Sequence, residues 1–246
     1  MTTESIFTII SNEKIAKNTY KMVLSGTACG CAPGKFVNVK IDGLFLRRPI
    51  SVCNQEGDKL TLVYKAVGKG TEKMSQMTEG TKLNILAYLG NGYDLSKCES
   101  KALLIGGGVG VPPLYMCAKK LIEAGKDVTV VLGFNTAEEV FYTEEFASLG
   151  ARVLVATADG SVGTKGFVTN AMEDAGEYDY FYTCGPEPML KAVYNATSTS
   201  GEFSFEERMG CGFGACMGCS CHTVTGYKRI CKDGPVLEKE EILWEK

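Results

Sequence analysis

The stretch KALLIGGGVGVPPLYMCAKKLIEAG, residues 101–125, decides the fold. Its opening apolar run has the length and composition of a buried strand. Gly106, Gly107, Gly108 and Gly110 then form a turn, and Pro112 and Pro113 stand in the first turn of a helix, where a missing N–H costs nothing. A strand, a glycine turn and a helix N-terminus together leave unpaired N–H groups and a helix dipole pointing at one spot, which suits an anion such as phosphate. A turn of this kind also serves simply to pack strand against helix. The G-x-G-x-x-G spacing is imperfect here, since Pro113 stands where the last glycine would be. Both readings stay open at this point.

The same rhythm continues downstream. DVTVVLGF precedes AEEVFYTEEFASLG, RVLVATAD precedes GFVTNAMEDAG, and YDYFYTCG precedes PEPMLKAVYNAT. Apolar runs alternating with amphipathic segments predict an α/β domain over residues 98–205, a parallel sheet covered by helices. Ligands of such sheets bind at the C-terminal ends of the strands. Cys184 and Gly185 fall at one such end, small enough to admit a flat ring, although most free cysteines are merely small buried hydrophobes. Asp159 falls at another. It is either an acceptor for ribose hydroxyls, which favours NADH over NADPH, or a solvated turn acid.

Upstream, residues 1–97 read differently. FTIIS, YKMVLS, KFVNVKI, ISVCNQ and KLTLVYKAV are five short strand-like segments separated by turn residues, with one helical piece at 71–77. They predict a small antiparallel β-barrel. In it, RRPISV gathers two guanidinium groups and the Ser51 hydroxyl before an apolar strand, a set able to clamp a diphosphate and bond a flavin edge. A surface arginine pair is the plainer reading. VYKAVGKGT brings Tyr64, which equally suits a barrel core, and then Gly70 and Thr71 at a helix start.

Composition excludes several classes. The 26 Lys and Arg against 29 Asp and Glu give a net charge of −3, which predicts no nucleic-acid partner. The N-terminus lacks a cationic start followed by an apolar run, so a cytoplasmic protein is expected. The longest uncharged run, 102–118, is broken by glycine and proline and is too short for a membrane span.

Five of the eleven cysteines lie within the 21 residues that end at Cys231. In a reducing compartment such a cluster points to metal. Cys211, Cys216, Cys219 and Cys231 follow C-x4-C-x2-C-x11-C, whose first three members have the plant-type [2Fe-2S] spacing. Gly210, Gly212, Gly214 and Gly218 would let backbone N–H groups turn toward sulfur. Cys221 lies outside the pattern, and a lone histidine, His222, excludes a Rieske centre, which needs two. A structural zinc site is the alternative, although zinc favours two close cysteine pairs and only Cys216 and Cys219 form one. Neither helical nor strand periodicity survives over residues 206–246, so this segment is expected to fold around its ligand.

Taken together, these motifs resemble the ferredoxin-NADP reductase superfamily, and more narrowly the iron-sulfur electron-transfer subunits of class 1B dihydroorotate dehydrogenases. The carriers are Arg48, Pro49, Ile50 and Ser51; Val63, Tyr64 and Lys65; Gly70 and Thr71; GGGVGVPP; CGP; and RMGCGFGACMGCSC with YKRICKDGPV. The resemblance spans essentially the whole chain. It implies that the first three groups contact FAD, that the four spaced cysteines bind [2Fe-2S], and that NAD occupies the α/β domain. It also implies a partner, an FMN-containing catalytic subunit that oxidises dihydroorotate in pyrimidine biosynthesis, in a heterotetramer of two of each. Related subunits serving a hydrogenase or a ferredoxin-linked NAD(P) transhydrogenase are the runner-up. No general acid, base or nucleophile is expected, because a flavin itself converts hydride to single electrons.

Overall fold

The computed structural model describes residues 3–27 and 30–244. β1 (Thr3–Ala16), β2 (Thr19–Ser25), β3 (Phe36–Val39), β4 (Arg48–Glu56), β5 (Lys59–Lys65) and β6 (Lys82–Leu89) close an antiparallel barrel in the order β1-β2-β5-β4-β3-β6. Five of these contain the five strand-like segments. The sixth, KLNILAYL, was not among them, yet its alternation is plain in the structure: Leu83, Ile85, Ala87 and Leu89 are all buried. Helix α1 (Lys69–Ser75) begins two residues before the predicted 71–77. Gly68 is its N-cap, and the Thr71 hydroxyl accepts from the Val67 and Gly68 N–H groups, so Thr71 lies inside the first turn.

The second layer is built from β7 (Lys101–Gly107), α2 (Pro112–Glu123), β8 (Asp127–Phe134), α3 (Thr143–Ser148), β9 (Arg152–Thr157), β10 (Thr164–Lys165), α4 (Val168–Met172), β11 (Tyr180–Cys184), α5 (Glu187–Ala196) and β12 (Gly201–Ser204). Helix α2 does more than cover this sheet. Leu114, Cys117, Ala118 and Leu121 pack on the sheet side, whereas Met116 belongs to the barrel core, so the two units share a wall. None of the described helices is long and apolar enough to cross a membrane.

The tail departs from expectation. Residues after 206 contain a hairpin of β13 (Ser220–Thr223) and β14 (Gly226–Arg229), followed by β15 (Val236–Glu238). β15 joins the large sheet antiparallel to β12, completing the order β10-β9-β8-β7-β11-β12-β15; all other pairings in it are parallel. Ile230, Leu237 and Ile242 are buried beside Phe203 and with Phe36 and Leu89 of the barrel. Each such side chain contributes about 1.5–3 kcal/mol of transfer free energy. The segment therefore has a hydrophobic anchor of its own, which its glycine and cysteine content conceals.

Candidate cofactor sites

Two strand ends and a helix start converge at one mouth of the barrel. β4 and β5 run antiparallel with Val52 opposite Leu62, so Arg48, Pro49, Ile50 and Ser51 at the start of β4 lie beside Val63, Tyr64 and Lys65 at the end of β5. Helix α1 completes the group: a Cβ on Gly70 would collide with the Arg48 guanidinium, so this glycine leaves room for that side chain. The Arg48 guanidinium donates to the Leu46 carbonyl, and the residues from Arg48 to Ser51 are half-buried. Arg47 is engaged elsewhere, with Glu4 at 2.8 Å and with the Asn38 and Asn84 carbonyls. Tyr64 points inward, its hydroxyl 2.9 Å from Asn12 Oδ1 and its ring stacked on Tyr20, so its side chain is barrel core. A half-buried arginine, a hydroxyl strand and a glycine-cleared helix start fit the diphosphate and ring edge of FAD.

At the C-terminal edge of the parallel sheet opens a cavity of about 590 Å³. Gly107, Gly108, Gly110 and Gly185 line it, as does Lys65 from the barrel. Gly108 takes φ 52°, a left-handed conformation that favours glycine. Gly110 is required for space: its Cβ would strike the Cys184 carbonyl. Gly106 and Cys184 lie behind this lining. Gly106 faces Val111 and Leu114 and packs strand on helix. Cys184 is buried, and burial pushes its thiol up to about 12, so it stays a neutral small side chain. Asp159 is exposed and outside the lining; its carboxylate accepts from the Ser161 hydroxyl at 2.6 Å and the Ser161 N–H at 2.9 Å. Residues that sequence reasoning passed over also line the cavity, among them Asn135, Glu139, Phe167, Met189 and Glu206. The position of Asn135 and Glu139 just past the end of β8 is the signal that marks them. An open cleft edged by N–H groups and glycine fits a dinucleotide.

The four spaced cysteines fall into two neighbouring pairs, Cys211 with Cys216 and Cys219 with Cys231. Although partial burial works against it, N–H groups of Phe213, Cys216 and Ala215 draw the Cys211 thiol down to about 6. The Ala215 N–H lies 3.2 Å from Cys211 Sγ, and the Cys231 N–H 3.4 Å from Cys219 Sγ. Gly212 and Gly214, at φ 79° and 90°, permit this turning of the chain. A two-iron centre takes four cysteine ligands, two to each iron. The paired thiols with N–H groups aimed at sulfur fit the two-iron group. Cys221 sits on β13 opposite Lys228, half-buried, outside both pairs.

These three sites adjoin. Asn38 of β3 lies directly across from Pro49, and its side-chain amide approaches the Cys211 carbonyl at 3.5 Å. The single strand β3 therefore lies between the Arg48–Ser51 segment and the backbone of the cysteine segment at Cys211. On the opposite flank, Lys65 belongs both to the barrel mouth and to the dinucleotide cavity.

Comparison with known proteins agrees with this layout. Residues 206–243 match the iron-sulfur cluster binding domain of dihydroorotate dehydrogenase B, and residues 104–195 match the oxidoreductase NAD-binding domain. The chain is 46% identical over 250 residues to the dihydroorotate dehydrogenase B (NAD(+)) electron transfer subunit of Geobacillus sp. strain WCH70, covering 96% of this chain and 97% of that one. It is 43% identical over 253 residues to the same subunit of Bacillus pumilus strain SAFR-032, covering 97% and 98%. Among solved structures, an NADH-dependent reduced ferredoxin-NADP oxidoreductase superposes with a TM-score of 0.88 at 30% identity, over 97% of this chain and 90% of that one. The cytochrome P450 reductase GcoB of Amycolatopsis shares the fold, with a TM-score of 0.72 at 24% identity over 79% and 65%. The chain belongs to the family of dihydroorotate dehydrogenase B (NAD(+)) electron transfer subunits.

Proposed function

We propose that this chain passes electrons from an FMN-containing, dihydroorotate-oxidising partner to NAD+, as a cytoplasmic subunit in a complex of two of each. The observation that carries the reading is the contiguity of the three sites through Asn38 on one flank and Lys65 on the other. Residues 1–97 are assigned to FAD, 98–205 to NAD and 206–246 to the cluster. Arg48 clamps the FAD diphosphate and Ser51 bonds the ring edge, with the backbone of Val63, Tyr64 and Lys65 and the α1 start at Gly70 and Thr71 completing the contact. Gly107, Gly108 and Gly110 receive the dinucleotide diphosphate on N–H groups; Gly106 and Cys184 shape the floor, and Gly185 keeps room for a flat ring. Asp159 is assigned to the ribose at the outer end of the site. Cys211, Cys216, Cys219 and Cys231 would hold the [2Fe-2S] cluster.

When bound, FAD exchanges hydride with NAD and single electrons with the [2Fe-2S] cluster. The protein contributes placement: it holds the ring between cavity and thiols and supplies N–H groups that favour negative charge on sulfur. The test is anaerobic. Purified subunit with its cofactors, mixed with NADH, is followed by flavin absorbance and by electron paramagnetic resonance; both flavin bleaching and a reduced-cluster signal are expected. Bleaching without a paramagnetic iron signal in fully metallated protein refutes the relay. The 30% identity to a ferredoxin-NADP oxidoreductase supports a second reading, a ferredoxin-linked transhydrogenase subunit. Orotate formation coupled to NAD+ reduction on adding the FMN partner separates the two, and its absence would overturn the first.

A further inference from the structure

Among the described residues that line the dinucleotide cavity, Lys65 is the one cation, against two carboxylates, Glu139 and Glu206. Lys65 is engaged: its Nζ lies 2.8 Å from Glu139 Oε1, across the joint between barrel and α/β layer. The two side chains are 31% and 16% exposed, which strengthens the pair beyond an ordinary surface bridge. The other Glu139 oxygen accepts from the Asn135 amide at 2.8 Å and the Asn135 N–H at 3.3 Å. The turn that carries Glu139 is pinned as well. Lys17 N–H donates to the Glu138 carbonyl at 2.9 Å, and Ala137 N–H donates to Ser161 Oγ at 2.8 Å. A carboxylate fixed from so many sides has a built position.

A dinucleotide brings a diphosphate, and NADP(H) brings a third phosphate. The N–H groups of the glycine turn receive the diphosphate without a cation. An unpaired lysine in the cavity would draw in both nucleotides and favour the more highly charged one. We propose that Glu139 is a specificity-determining residue: paired with Lys65, it cancels the cavity's lysine and leaves a net negative lining that disfavours the extra phosphate of NADP(H). The proposal rests on reading the cavity as the dinucleotide site. It gives Glu139 the larger share of discrimination, ahead of Asp159, which stands exposed and bonded to Ser161.

The test uses the oxidised protein with FAD and cluster in place, titrated with NAD+ and NADP+ by calorimetry at low and high salt, so that binding is read without turnover. Glu139→Gln keeps an oxygen for Asn135 and removes the charge. The Kd for NADP+ should fall roughly tenfold, as expected for one unit charge at about 12 Å and an effective dielectric of about 20, and that for NAD+ about threefold or less. The gain should shrink in high salt. Adding Lys65→Gln to Glu139→Gln should return the ratio of the two Kd values to within about twofold of wild type. Should Glu139→Gln fail to fold, Glu139→Ala carries the same expectation. The proposal is overturned if the ratio stays within about twofold of wild type in Glu139→Gln while NAD+ still binds. A larger shift from Asp159→Asn overturns it too. If wild type binds no NAD+, the reading of the cavity falls, and the proposal with it.

Discussion

Glu202 gives the molecule a stability that depends on pH in a window most carboxylates do not reach. It lies on β12, 4% exposed, directly opposite Glu238 of β15. One carboxylate oxygen accepts the Asp94 N–H at 2.9 Å; the other is 3.4 Å from Lys97 Nζ, which sits 2.6 Å from Glu238. Burial is the largest influence and pushes Glu202 from 4.5 to about 7, in spite of the opposing Asp94 N–H and Lys97. The folded chain thus holds this proton more tightly than the unfolded chain does. The resulting stabilisation is fully present below about pH 4.5 and is lost as pH rises through about 7, a total of roughly 3 kcal/mol. Glu202→Gln keeps an acceptor for Asp94 without the charge. It should match wild type near pH 5 and exceed it by roughly 2–3 kcal/mol near pH 8.5. Urea unfolding read at Trp244, the single tryptophan, checks this, because Trp244 packs on Tyr194 and Phe205 beside β12. A stability difference between variant and wild type that stays flat from about pH 5 to 8.5 refutes the reasoning.

Three further outcomes are expected. Cys219→Ser should abolish stoichiometric iron and acid-labile sulfide while FAD is retained, since the flavin face lies on the barrel; metal and flavin assays on the same sample read both. Gly110→Ala should raise the KM for NADH about tenfold or more, because the new methyl meets the backbone of Cys184 and Gly185 and pushes the turn off the sheet. Arg48→Ala should weaken FAD retention by about 1.5–3 kcal/mol, the worth of a charge-assisted bond, seen as flavin lost on gel filtration; full occupancy would remove Arg48 from the site.

Much of this architecture was legible because local chemistry and global fold agree. The alternation of apolar runs and amphipathic segments in residues 98–205 gave the parallel sheet, and Pro112 does stand at the first position of α2. The cysteine spacing was equally local, so the set Cys211, Cys216, Cys219 and Cys231 could be proposed from intervals alone, but its division into Cys211 with Cys216 and Cys219 with Cys231 could not. What escaped was tertiary. β15 is three residues long, and it is a strand because β12 offers an edge and Phe203 a surface, not because of its own propensity. Tyr64 suited a cofactor contact and a barrel core equally by sequence, and what turns its side chain inward is Asn12, a residue 52 positions away. Glu139 carries no motif; its place just past β8 hints at the sheet's ligand edge, but its pairing with Lys65 of the barrel is tertiary.

The two ends of the relay are held by different physics, and the difference follows from what each must bind. A resident cluster must keep a fixed separation from the flavin, and here Cys219, Ile230 and Cys231 are buried in the same core as Phe36 and Leu89 of the barrel. Moving the thiols away from Asn38 would break that core, at a cost of several buried side chains. An exchangeable dinucleotide needs the opposite, a cleft that can open. Beside the cavity the joint with the barrel is crossed by two ion pairs, Lys17 with Glu138 and Lys65 with Glu139, while the wall shared through α2 is apolar. The exposed Lys17–Glu138 pair exchanges for solvent at little cost, whereas Asn135 holds Glu139 in place beside Lys65. The cluster end is therefore fixed by apolar packing, and the rim of the nucleotide cavity by polar contacts.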